Sequence, residues 1–174
     1  MSDHQGTTAP PETETELTSW VALERSIIIN ASSDGIGDML SDVMRYPSIF
    51  PGTQSVNTDG VFPAVGGKID LIYKAAGMSF HMDLTMLENE PRRRIMKTEI
   101  RNVQFVTKNV LEGKNSWFWE PEGEGTKLTL RYEYEVPNST YGKQLERWVI
   151  RRLNADNMEG ALKNIKRLVE ASKK

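Results

Sequence analysis

The sequence predicts an α+β domain in which a curved antiparallel sheet closes on a long C-terminal helix. Three observations carry that expectation. Leu128, Leu130, Tyr132, Tyr134 and Val136 alternate with Thr129, Arg131, Glu133 and Glu135, the pattern of a strand with one apolar face. Pro137-Asn138-Ser139 breaks that strand, and from about Tyr141 to Ala171 the apolar residues recur at helical spacing. Upstream, further alternating runs are separated by turn residues, as in a meander of hairpins.

Length and composition fit one domain of this kind. The chain has 174 residues, 38% hydrophobic and 26% charged, enough for a sizeable core. Its net charge of -2 supplies no global basic field, so nucleic acid is not an expected partner. With no cysteine there is no disulfide, no thiolate zinc site and no cysteine nucleophile. A reducing, cytoplasmic setting fits that composition. The N-terminus lacks the basic-then-apolar profile of a signal peptide, and no apolar run reaches membrane-spanning length.

Residues 1–18 are rich in Thr, Pro, Glu, Gly and Ser and read as a flexible tail, leaving 19–174 as the folded domain. The first strand is expected over Val21 to Asn30, centred on Ile27, Ile28 and Ile29. Ala31-Ser32-Ser33-Asp34 supplies cap chemistry for a short helix carrying Ile36, Met39, Leu40 and Val43. A second short turn of helix follows near Tyr46 to Phe50, punctuated by Pro47 and Pro51. Strands are then expected at Gln54 to Asp59, Gly67 to Tyr73, Met78 to Glu88 and Arg94 to Asn102, whereas Gln104 to Gly113 reads as either strand or loop.

The run from Ser26 to Asp34, the segment Asp38 to Gly52, the stretch Trp117-x-Trp119-Glu-Pro-x-Gly-x-Gly-Thr126 and the long final helix together resemble the polyketide cyclase/dehydrase and lipid-transport superfamily. The resemblance spans about residues 20 to 172. It implies the START-like helix-grip fold (SRPBCC class), with two short helices after the first strand. Two departures stand out: Gly37 lies where such proteins usually carry a large aromatic, and Ile49 where many carry Trp. Unless other side chains fill the space, those losses enlarge the interior.

Strand phase points Tyr73, Met78, Phe80, Met82, Thr98, Trp117, Trp119, Tyr132 and Tyr134 inward, as the lining of a hydrophobic cavity. Thioethers among tyrosine hydroxyls suit a lipid, an isoprenoid or quinone, or a polycyclic ligand. The same phase points His81, Asp83, Glu99, Arg101, Arg131 and Glu133 outward, so no inward carboxylate or histidine is found and no catalytic residue is assigned. The two histidines, His4 and His81, have no ligand spacing, so neither a metal nor a cofactor is expected. Gly123-x-Gly125 precedes a strand and is a hairpin turn, not a phosphate cradle.

The terminal helix carries two stripes on nearly opposite sides: Leu145, Trp148, Val149 and Leu153, then Ala161, Leu162, Ile165, Leu168 and Val169. The slip between them is expected at Asn154 to Gly160, where Asp156 and Glu159 resemble a capping box. The second stripe is expected to close the sheet, and Trp148 to cover the pocket mouth, with packing on the short helices near Tyr46 to Phe50 or a homodimer interface as the other uses of the first stripe. Basic residues along this helix read as a solvated face, with a peripheral membrane contact as the functional alternative.

The expected function is therefore binding of a hydrophobic small molecule by a non-catalytic protein. Similarity to the cyclase branch implies an alternative, a polyketide aromatase/cyclase. Similarity to the quinone-binding branch implies a third, a chaperone-like module for a partner enzyme.

Overall fold

The alternating apolar residues of the last strand line one face of a sheet in the computed structural model, which describes residues 18–101 and 110–172. Its strands are β1 (Thr18–Ile29), β2 (Thr53–Thr58), β3 (Lys68–Ala75), β4 (Met78–Glu90), β5 (Arg93–Arg101), β6 (Val110–Glu122) and β7 (Gly125–Pro137). They form one antiparallel sheet in the order β1-β7-β6-β5-β4-β3-β2. The helices α1 (Asp34–Ser41) and α2 (Tyr46–Ile49) carry the chain from β1 at one edge to β2 at the other. Hairpins then return it strand by strand until β7 pairs with β1 from Thr18↔Pro137 to Ile29↔Thr126. Of the ambiguous stretch, 102–109 lie outside the described residues, and Val110–Gly113 belong to β6. The expected tail falls on residues 1–17, also outside them, except that Thr18 already belongs to β1.

The concave face is the apolar face. Leu128, Leu130, Tyr132, Tyr134 and Val136 are all buried, as are Trp117 and Trp119 on β6. Met82, Leu84 and Met86 continue that face onto β4, where Leu84 pairs with Ile69 and Met82 with Leu71. Ile36, Met39 and Leu40 from α1 and Tyr46 and Ile49 from α2 pack into the same core. Full burial of an aliphatic side chain of this size stabilises by roughly 1.5–3 kcal/mol, so these rows are what hold sheet and helices together.

The terminal helix runs as α3 (Thr140–Leu145), a π turn at Glu146–Ile150, and α4 (Arg151–Ala171). Ser139 caps it, its side chain accepting from the Gly142 N–H at 3.0 Å. Ala161, Leu162, Ile165 and Val169 are buried against the sheet, as the second stripe predicts. The same helix protects the open edge of β1: Lys166 Nζ donates to the Ile28 carbonyl (2.7 Å), and Glu170 accepts from the Asn30 N–H (2.9 Å).

The phase slip lies one to two turns earlier than expected. Asn154 to Gly160 is uninterrupted α-helix, and the irregularity is the π turn, in which the Arg151 N–H bonds the Glu146 carbonyl. An i→i+5 bond inserts one residue into the turn, so everything before it is rotated relative to α4. Hydrophobic periodicity takes no account of an inserted residue, and it places the break where the polar run is densest.

Asp59 organises the longest connection of the meander. Its Oδ1 accepts from the N–H groups of Val61 (2.9 Å) and Phe62 (3.2 Å), and its Oδ2 from that of Lys68 (3.0 Å). These bonds, Val61's foremost, hold its carboxyl below the ordinary value of 3.8. A depressed native pKa gives stability that is complete above the ordinary carboxylate range and is lost as pH falls through the lower native value. Asp59→Ala should therefore lower the melting temperature at neutral pH and flatten its acid decline below pH 3.8. Melting curves that run parallel to wild type at every pH would contradict this role.

Candidate functional site

The expected cavity residues separate into three groups. Trp117, Trp119 and Thr98 are buried core. The Trp117 ring meets Phe50 edge-on at 6.3 Å, and Asn115 Nδ2 donates to Thr98 Oγ1 at 2.7 Å. Tyr132 and Tyr134 are buried and stacked, with ring centroids 5.2 Å apart. Gly113 makes room for them, since a Cβ there would lie 3.0 Å from the Tyr132 hydroxyl. Burial raises the pKa of both phenols, so they remain protonated donors. Tyr73, Phe80 and Met82 are partly exposed at the β2–β4 side, and Met78, at the β3–β4 turn, is 44% exposed.

Trp148 does not face the interior. It is 72% exposed, with the Arg147 guanidinium 5.6 Å from its ring centroid. The π turn is the reason, because it rotates this part of the helix away from the phase set by α4. Glu146 takes the inward position and is only 5% exposed. Among the described residues no strand carboxylate shares the phase of the concave apolar rows; the helix supplies an inward one.

Glu146 is fully partnered. Tyr134 donates its hydroxyl hydrogen to Oε1 at 2.9 Å, Arg151 Nε donates to the same oxygen at 2.9 Å, and Arg151 Nη2 approaches Oε2 at 3.4 Å. Five residues apart on a regular α-helix, Glu146 and Arg151 would sit about 140° apart around the axis. The π turn brings them to one side. Beyond the effect of burial, the Glu146 carboxylate pushes the Tyr134 pKa up further and raises that of Arg151.

Arg94 is another buried ion. It is 6% exposed, and its parity with Met96 and Thr98 on β5 is the signal that it points inward. Nε donates to Asn89 Oδ1 (2.9 Å) and Nη2 to Ser41 Oγ (2.7 Å), while the guanidinium lies 5.7 Å from the Trp119 ring centroid. Nη1 has no hydrogen-bond partner among the described residues. Burial lowers its pKa, opposed by Tyr46 and Asp38. A Cβ at Gly37 would lie 3.6 Å from Trp119 and 3.9 Å from Arg94. Those two side chains occupy the room that the missing aromatic would otherwise leave.

Open space lies elsewhere. A cleft of about 390 Å³ runs between the Phe50–Gly52 turn, the Tyr73–Ala76 end of β3 and the α4 residues Leu153, Asp156, Asn157, Gly160 and Asn164. Of the expected cavity residues, only Tyr73 lines it. Gly160 keeps it open, since a Cβ there would meet nothing within 4 Å.

The convex face is a lattice of paired charges. Cross-strand pairing sets Asp70, Asp83, Glu99 and Glu112 in one row across β3 to β6. Like charges directly opposite repel, and cations answer them. Lys97 bridges Glu99 (3.4 Å) and Glu112 (2.9 Å), Arg101 pairs with Asp83, and His81 Nε2 lies 2.5 Å from Asp70 Oδ2. His81 faces outward, as its phase predicts. The donor atoms of Asp70, His81 and Asp83 lie within 4.8 Å of one another, a grouping that histidine spacing alone does not reveal.

Known proteins share this outline. A family model described as polyketide cyclase / dehydrase and lipid transport matches residues 21–170. The chain belongs to that family. Among curated proteins none matches the sequence. The di-domain ARO/CYC StfQ of the steffimycin biosynthetic pathway superposes with a TM-score of 0.73 at 16% identity, over 88% of this chain and 52% of that one. This chain thus spans about half of that protein. The Zhui aromatase/cyclase from Streptomyces sp. R1128 gives 0.68 at 18% identity, covering 90% and 97%. The major latex-like protein 151 from Panax ginseng gives 0.64 at 16%, covering 88% and 98%. At such identities the likeness is one of fold, and the fold is the helix grip. No helix among the described residues of this polyketide cyclase/dehydrase family member is long and apolar enough to cross a membrane.

Removing the Tyr134 hydroxyl should test the Glu146 cluster. A hydrogen bond to a charged group contributes about 1.5–3 kcal/mol. Tyr134→Phe should lose that much in urea unfolding, with an unchanged m-value. A loss below about 0.5 kcal/mol would show that the bond contributes little to the native state.

Proposed function

We propose that this protein binds a hydrophobic small molecule, of lipid, isoprenoid or polycyclic type, in the cleft beside α4. The observation that carries the reading is the cleft itself. At about 390 Å³ it lies within the range of small-ligand sites, with Tyr73, Phe50 and Leu153 as apolar surface and Asp156 and Asn157 as polar groups. Partly exposed Phe80 and Met82 extend the apolar surface along the concave face, where a pliable thioether suits an irregular ligand. Membership of a family named for both cyclisation and lipid transport supports the same reading.

A second reading, cyclisation of a bound polyketide chain, is favoured by one observation. Glu146 is a buried carboxylate bonded to a phenol that stays protonated, the kind of acid–base pair such chemistry uses. The likeness to aromatase/cyclases points the same way. Under this reading Glu146→Gln abolishes turnover of a polyketide mimic while ligand retention persists. Under the binding reading no turnover is detected in either protein.

Gly160 gives a clean test of the cleft. Gly160→Leu places a side chain in open space and removes a residue that weakens a helix interior by roughly 0.5–1 kcal/mol relative to Ala. The variant should melt at or above the wild-type temperature and yet lose the ligand. Native mass spectrometry of freshly purified protein should show an apolar adduct on wild type and none on Gly160→Leu. An adduct retained by the variant would place the ligand elsewhere, and wild type that carries none and binds no hydrophobic dye would overturn the reading.

A further inference from the structure

The start of the terminal helix has its polarity inverted. Within three residues, a glutamate is 5% exposed and a tryptophan 72% exposed. Tyr141, about two turns before Trp148, is 63% exposed, and Val149 beside it is also exposed. A regular α-helix continued back from α4 would have no need of this arrangement. The π turn creates it by rotating Glu146 onto Tyr134 and Trp148 into solvent.

The charges around these aromatics are of one sign. Lys143, Arg147 and Arg152 are exposed, and among the described residues none of them forms an ion pair. Arg151 and Glu146 cancel each other. Three exposed cations without an ion pair among the described residues therefore share the helix start with Tyr141, Trp148 and Val149, in a chain whose net charge is -2. On the convex face, by contrast, cations are paired with the acidic row.

We propose that this helix start docks the protein onto an anionic lipid surface, with Trp148 and Tyr141 seated at the headgroup level and Lys143, Arg147 and Arg152 against lipid phosphates. The occupant is set by the chemistry. Trp and Tyr carry an apolar ring with a polar tip and settle at the boundary between water and hydrocarbon. Unpaired Lys and Arg each add attraction to an anionic leaflet, and an interfacial helix needs both contributions. Arg147 over the Trp148 ring holds cation and aromatic together. The patch precedes Leu153, a wall of the cleft, by little more than one turn, so docking sets the cleft beside the bilayer. Docking of this kind does not require the cleft to hold a ligand.

Vesicle binding tests it with the full chain in a Trp20→Phe background, where Trp148 is the exposed tryptophan among the described residues. With vesicles of phosphatidylcholine and phosphatidylserine, Trp148 emission should shift to the blue and become quenchable by brominated lipid. Phosphatidylcholine alone, or high salt, should abolish the shift. Removal of each cation, as in Arg147→Gln or Arg152→Gln, should weaken binding roughly fivefold. Trp148→Ala should abolish co-sedimentation while leaving the melting curve unchanged, since the residue buries little. Absence of binding to anionic vesicles at low salt would overturn the proposal. So would equal binding by Trp148→Ala, or self-association in sedimentation that depends on Trp148 and occurs without lipid, which would make the patch an interface between two copies.

Discussion

A carboxylate buried in a protein interior is costly unless its oxygens find donors, and Glu146 finds them only because its helix departs from α geometry. Tyr134 reaches it from the sheet and Arg151 from one π turn along the helix. Without the inserted residue, Arg151 would lie on another side, and the carboxylate would have to leave the interior. The rotation that satisfies Glu146 is the same one that turns Trp148 out. Burial of one charge, exposure of one aromatic and the bend in helix phase are thus a single structural event.

The rest of the helix depends on that turn. From Arg151 onward α4 is regular, and its buried row of Met158, Ala161, Leu162, Ile165 and Val169 lies on the sheet while its side chains close the edge of β1. The helix is therefore anchored along its second half by apolar contact and at its start by a polar cluster. Between these anchors lies the wall of the cleft, where Gly160 withholds a side chain. The interior around Gly37, by comparison, is filled by Trp119 and Arg94.

The sheet was legible in the sequence because its signal is a period of two imposed by burial of one face. Leu128 to Val136, Met82 to Met86 and the outward His81 all obey it. Arg94 obeys it too, yet a charged residue at an inward position is easily passed over by a reading that tracks apolar groups. The helix was legible over its whole length, Tyr141 to Ala171, but the direction of its faces only in its second half. The π turn is an irregularity of backbone bonding, and the residues that demand it, Glu146 and Arg151, are polar and five apart, a spacing that no helical periodicity marks. The cleft was half legible: Tyr73 was on the expected face, whereas Gly160 contributes by having no side chain, and Leu153 was assigned to the stripe that the π turn breaks.

A double-mutant cycle between Tyr134 and Glu146 tests most directly whether their buried bond fixes the helix start. Stability is measured for wild type, Tyr134→Phe, Glu146→Gln and the double variant under one set of denaturant conditions. If the bond sets the rotation, the two changes should be non-additive, with a coupling of about 1–2 kcal/mol. Additive losses, with coupling below about 0.5 kcal/mol, would mean that the carboxylate and the phenol are neighbours without a shared bond, and that something else sets the rotation of the helix.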